Sequence, residues 1–121
     1  LLAVSAYAGW LAQGQRIGEP PPGRGFPAIP APPLPPSDAR GKAVFTEICA
    51  ACHGEDGQGL KDGDTVVNPP LWGKASYNWG AGMAQVDKAA AFIRANMPVG
   101  NAGTLTVQQA WDVAWYIDGQ V

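Results

Sequence analysis

The sequence predicts an all-α domain of short helices joined by long loops. Two observations carry that expectation: apolar residues recur at helical spacing in three stretches, and no stretch alternates polar and apolar long enough to argue for a sheet. A third bounds the core. With 121 residues, 16 Gly, 12 Pro and only 15% charged side chains, the chain supports one modest interior, so something besides a large hydrophobic core is expected to help hold it. The formal charge of −2 and the lack of any basic run give no argument for nucleic acid or an anionic membrane surface as partner.

Residues 1 to 12, LLAVSAYAGWLA, are apolar but far shorter than the roughly 20 residues of a membrane span. They lack the basic flank of a signal peptide, although Ala6-Tyr7-Ala8 has the pattern of a cleavage site. The chain does not begin with Met, and is expected to start inside a longer precursor or after processing. Three readings stand: a signal remnant, the stub of a membrane anchor, or the last helix of an upstream domain. Length favours the last, and makes residues 1–16 a helical stub. Residues 17–36 hold nine of the twelve prolines. Repeated Pro removes backbone donors and fixes φ, so neither helix nor sheet propagates. The expectation is a semi-extended linker, able to reach about 60 Å as a spacer or to lie as a strap with Phe26, Ile29 and Leu34 as apolar pins. A proline-rich ligand for a partner's groove is the other reading.

The third unit is residues 37–121. Ser37 offers an N-cap to DARGKAVFTEICAAC, with Val44, Phe45 and Ile48 at helical spacing. Gly54 to Gly63 reads as a polar, Gly-rich loop, where Glu55, Asp56, Lys61 and Asp62, with Asp64 beyond, serve solubility. Pro69-Pro70 blocks regular structure. Val86 to Met97 returns to helical spacing, with Val86, Ala90, Ile93 and Met97 on one face, and Pro98 and Gly100 end it. Thr106 and Gln109 form a capping box that opens a last helix through Val107, Trp111, Ala114 and Ile117.

Both cysteines and the only histidine fall in CAACHGEDGQG, residues 49–59. Cys49-Ala-Ala-Cys52-His53 is C-x-x-C-H, the signature of covalent haem attachment. Two thiols three positions apart at a helix end can add to the two vinyl groups along one porphyrin edge, and the next residue then gives an imidazole nitrogen to iron. The second ring nitrogen needs a partner that fixes the tautomer. A thioredoxin-like redox pair would want a βαβ context that is lacking. Zinc needs four ligands where three stand, too close together for a tetrahedron. A plain disulfide leaves His53 unexplained.

With these features residues 37–121 resemble the class I cytochrome c family. Gly41 and Phe45 fit its Gly-x-x-x-aromatic on the N-terminal helix, Val113 and Tyr116 fit the partners on the C-terminal helix, and Pro69-Pro70-Leu71-Trp72-Gly73 fits its P-x-L-x-G loop. The resemblance implies the class I cytochrome c fold wrapped around one haem c, covalent through Cys49 and Cys52, with His53 as axial ligand. It also implies that the Pro69 carbonyl accepts a hydrogen bond from His53 and that Leu71 packs on the haem. For the sixth ligand Met97, at a helix end before a proline, is favoured over Met83. Lys74 is a further alternative that needs a strongly depressed pKa. Trp72, Tyr77 and Trp79 read either as haem wall or as core, and Arg94 as a solvated residue sooner than a propionate partner.

PPLWGKASYNWGAGM, AAAFIRANMPVG and QQAWDVAWYI are also similar to the C-terminal haem domain of dihaem cytochromes, including the thiosulfate dehydrogenase family. There, AYAGWLAQGQRIGEPPPGRGFP corresponds to the junction with an upstream haem domain. The expected function is single-electron transfer with His/Met ligation, in a chain that is itself a non-catalytic carrier. The alternative is the electron-exit domain of a dihaem oxidoreductase, such as one forming tetrathionate from thiosulfate. A haem sensor with an open sixth position is a third reading. The implied partners are donor and acceptor redox proteins of a respiratory or sulfur-oxidation chain (a cytochrome, oxidase or dehydrogenase) and an upstream haem domain or partner subunit. The implied location is the bacterial periplasm, with or without association with the inner membrane.

Overall fold

The structure is a computed structural model, and it describes residues 2–20, 28–77, 80 and 82–120. The Phe26 pin and Trp79 lie outside the described residues. Helix α1 spans Leu2–Leu11 and has no buried residue. The long N-terminal helix of the haem-motif unit runs from Asp38 to His53 in three parts: α2 (Asp38–Val44), a π-helical turn (Phe45–Cys49) and α3 (Ala50–His53). Ser37 caps it by accepting from the Arg40 amide at 3.4 Å, which satisfies one of the orphan donors of the first turn. The π-turn rotates the last helical turn relative to α2. Phe45 therefore stays in the core while Cys49, Cys52 and His53 reach a different face.

A short antiparallel hairpin follows, β1 (Leu60–Asp62) and β2 (Thr65–Asn68). The sequence reading placed no strand here, and the physical reason is visible. Both strands are exposed on both faces apart from Asn68, so no polar–apolar alternation marks them. The turn itself is legible, since Gly63 opens the two-residue loop with φ +57°, a conformation hairpin loops demand. Helix α4 is Val86–Asn96 and α5 is Val107–Asp118. The capping box at Thr106 is complete, with Gln109 bonded back to the Thr106 amide at 3.0 Å.

Helices α2 and α5 cross at Gly41, which is buried against the Asp112 carbonyl and Tyr116. Around that crossing Phe45 meets Tyr116 with ring centroids 5.6 Å apart, and Trp72 at 5.2 Å. Val113 is fully buried there. Helix α4 packs on α5 and brings Ala89, Ala90 and Ile93 into the same cluster as Ala114 and Ile117.

The described part of the proline-rich segment lies against α5 as a strap. Trp111 Nε1 donates to the Pro30 carbonyl at 2.9 Å, and Gln108 brackets Leu34, accepting from its amide at 2.8 Å and donating to its carbonyl at 3.2 Å. Beneath it Asp112 is 2% exposed. It receives the Ser37 amide at 2.8 Å, Arg40 at 2.7 and 2.9 Å, and Gln108 at 3.0 Å. Burial alone would push this carboxyl up, but Arg40, Ser37 and Gln108 outweigh it and hold it below the ordinary carboxylate value. A depressed folded value means that the contribution is present above the ordinary carboxylate range and lost as pH falls through the folded value. Asp112→Ala is thus expected to cost about 3 kcal/mol at neutral pH, the lower end for breaking a buried pair whose Arg is half in solvent. Urea titrations at neutral and acid pH check this: the gap between variant and parent should narrow in acid.

Candidate functional site

A cavity of about 610 Å³ opens between the end of α3, the Pro69–Leu71 segment, α4 and the turn after it. The structure brings Cys49, Cys52, His53, Pro69, Leu71 and Met97 together on its wall, and Met83 joins them. Side chains of the core itself complete the lining, among them Ala89, Ile93, Leu105 and Ile117. The domain is therefore built around this space.

His53 Nδ1 lies 2.9 Å from the Pro69 carbonyl oxygen. A carbonyl can only accept, so Nδ1 carries the proton and Nε2 of the neutral ring keeps its lone pair. The loop after His53 arranges that contact. Gly59 donates to the His53 carbonyl at 2.7 Å and Leu71 donates to Gly57 at 2.8 Å, which folds residues 54–59 back on 69–72. Gly57 (φ +65°) and Gly59 (φ +76°) are required there: a Cβ would meet the Trp72 ring at the first, and the Asn68 and Pro69 backbone at the second.

Met97 is the C-cap of α4, in extended backbone at φ −116°, ψ 149°, as the residue before a proline prefers. Its thioether leaves the helix line where Pro98 stops the ladder. Cys49 and Cys52 are not joined to each other by a disulfide. Burial first, and the neighbouring Cys52 second, push the Cys49 thiol up to about 11, the reverse of the lowered value a redox dithiol uses. Among the described residues no three His, Cys, Asp or Glu side chains converge as ion ligands.

Other side chains singled out in the sequence sort differently. Lys74 is exposed and off the cavity wall, and Arg94 is exposed beside Ala28 and Ile29. Trp72 belongs to the core with Phe45 and Tyr116, with which it makes an edge contact at 6.1 Å. Tyr77 lines the cavity and donates to Asp118 at 2.8 Å. Leu105, 4% exposed and on the wall, was missed by the sequence reading. Its position just before the Thr106 cap, where a helix-entry staple sits, is the signal that marks it.

The family model for cytochrome c matches residues 39–120. The chain belongs to the cytochrome c family. This cytochrome c domain is 49% identical over 116 residues to thiosulfate dehydrogenase of Stutzerimonas stutzeri, covering 96% of the chain and 38% of that protein. It is 44% identical over 120 residues to thiosulfate dehydrogenase of Thiomonas intermedia, covering 99% and 38%. Among solved structures it superposes on thiosulfate dehydrogenase (TsdBA) from Marichromatium purpuratum with a TM-score of 0.80 and 51% identity, over 96% of this chain and 25% of that one. The chain thus spans under two fifths of the length of these curated relatives.

A cytochrome c domain implies covalent haem c and is suited to electron transfer. The residues present fit that group: two thiols at C-x-x-C spacing, an imidazole with its outer nitrogen already engaged, thioethers, and an apolar wall on one cavity.

Proposed function

We propose that this cytochrome c domain passes single electrons through one haem c held by Cys49 and Cys52, with His53 and Met97 as axial ligands. The observation that carries the reading is the 2.9 Å contact of His53 Nδ1 with Pro69, on a wall shared with both cysteines and Met97. When bound, the haem supplies a one-electron iron couple, whose potential a Met/His pair raises relative to His/His. The Pro69 carbonyl fixes the imidazole's tautomer and adds basicity to Nε2. With haem bound, Met97 would hold it from the helix end before Pro98, which would favour outer-sphere transfer over substrate chemistry at the metal. Leu71, Ile93 and Leu105 line the site with apolar surface, so the charge change there meets an apolar surround.

Met97→Ala is expected to abolish the weak far-red band of methionine-ligated ferric haem and to lower the potential, while Met83→Ala leaves the band in place. Absorption spectroscopy of the oxidised variants reads this directly. A band kept in Met97→Ala and lost in Met83→Ala would reverse the ligand assignment.

We further infer that residues 37–121 are the electron-exit domain of a dihaem oxidoreductase acting on thiosulfate. Residues 1–16 would be the last helix of an upstream domain, and 17–36 the connector. Two observations support this: the relatives' greater length, and an α1 whose Leu2, Tyr7 and Trp10 are 89%, 61% and 61% exposed. Donor and acceptor redox proteins are its partners. Covalent attachment to C-x-x-C-H takes place outside the bacterial cytoplasm, so the location is the periplasm. The haem content of the native polypeptide tests the parentage, since two covalent haems per chain are expected and one would refute it.

A further inference from the structure

Asp118 is the last residue of α5, next to Ile117 on the cavity wall. One carboxylate oxygen accepts from the Tyr77 hydroxyl at 2.8 Å, and Tyr77 lines the same cavity. The other, Oδ2, is buried and has no hydrogen-bond partner among the described residues. Three costs therefore meet at one group. A buried oxygen is unsatisfied, a charge is partly removed from water, and a negative charge stands at the negative end of a helix dipole. Burial pushes the carboxyl up, above the ordinary carboxylate value, against the opposing pull of the Tyr77 hydrogen bond. If the side chain served only to hold Tyr77, an asparagine would accept the same hydrogen bond without the two costs of charge.

Among the described residues no cation of the packed elements answers the charge. On α2, Arg40 is committed to Asp112 at 2.7 Å, while Asp38 and Lys42 are exposed. On α4, Asp87 and Lys88 pair with each other at 3.0 Å, and Arg94 is exposed. From the 71–77 segment only the Tyr77 hydroxyl meets it, and Lys74 is exposed.

We propose that Asp118 is a proton-coupled positioning residue of the electron-transfer site, binding a proton at Oδ2 when an electron enters the cavity and releasing it when the electron leaves. This rests on the haem reading above. On reduction one electron arrives from the donor protein and one O–H bond forms at Oδ2, with the proton drawn from solvent. Oxidation breaks that bond and returns the proton to water. The bound proton thereby partly offsets the charge that the electron brings. The ionised carboxylate favours the oxidised, more positive site, so the potential falls as pH rises above the usual carboxylate range.

The test is the haem-loaded protein, its midpoint potential followed against pH by spectroelectrochemistry, together with Asp118→Asn and Tyr77→Phe. The parent is expected to shift its redox equilibrium about tenfold between the protonated and ionised limits, which is about 59 mV for one electron. Asp118→Asn should lose that slope and hold the parent's low-pH potential throughout. Tyr77→Phe removes a donor from the ionised form, so it should keep the slope and move it to higher pH. Isotope-edited infrared difference spectra should show a protonated carboxyl signal on reduction of the parent and none in Asp118→Asn. Superimposable potential–pH curves for parent and Asp118→Asn would overturn the proposal while leaving the haem reading intact. A protein without covalent haem would overturn both.

Discussion

A chain matured without haem, or the Cys49→Ala/Cys52→Ala double variant, is expected to show no cooperative unfolding transition. The cavity of about 610 Å³ lies inside the packing, since Ala89, Ile93, Leu105 and Ile117 belong both to its wall and to the core. Without the group, water would meet a wall of apolar core side chains there, and a typical domain has only about 5–15 kcal/mol of stability to lose. Collapse into the space would disturb the packing of α4 on α5, where Ala89 and Ala90 share one cluster with Ala114 and Ile117. The measurement is a denaturant titration followed by near-ultraviolet circular dichroism. A sloping, featureless curve is expected, and a sharp transition with fixed aromatic signals would show that the polypeptide packs without the group.

Gly41→Ala in the haem-loaded protein is expected to cost about 3 kcal/mol and to lower the melting temperature by about 15 °C. Two effects of opposite sign meet at this position. Helix propensity alone would favour alanine by about 1 kcal/mol. The added Cβ, however, would land on the Asp112 carbonyl and 2.7 Å from Tyr116 Cβ, atoms fixed by the axis of α5. Relief requires the two helices to separate, which also loosens Phe45 against Tyr116. Gly9→Ala is the control, because α1 offers nothing within 4 Å of a Cβ there, and propensity alone should act. Thermal melts read at the haem absorption separate the two: a loss at Gly41 beside no loss at Gly9 is the expected pattern.

The residues easiest to read were those whose roles are local in sequence. Cys49, Cys52 and His53 announce themselves by spacing, and Met97 by its place between a helix and a proline. Gly41 could be placed against Tyr116 through the family resemblance alone, since nothing along the chain links residues so far apart. The hairpin escaped because its strands face solvent on both sides. The π-turn escaped because FTEIC keeps an ordinary helical composition, and its effect is a rotation that periodicity over five residues does not register. Asp112 and Asp118 look like routine breaks in an apolar helix pattern. Their meaning comes from Arg40 and Tyr77, which tertiary structure brings to them across 72 and 41 positions.

The strap is gripped through its peptide groups. Trp111 takes the Pro30 carbonyl and Gln108 takes both the amide and the carbonyl of Leu34, while the Leu34 side chain remains 56% exposed. Such a segment is indifferent to most substitutions and intolerant of changes in length. One residue inserted between Pro30 and Leu34 would put both grips out of step, whereas an exchange of side chain at most of the positions between them would pass unnoticed.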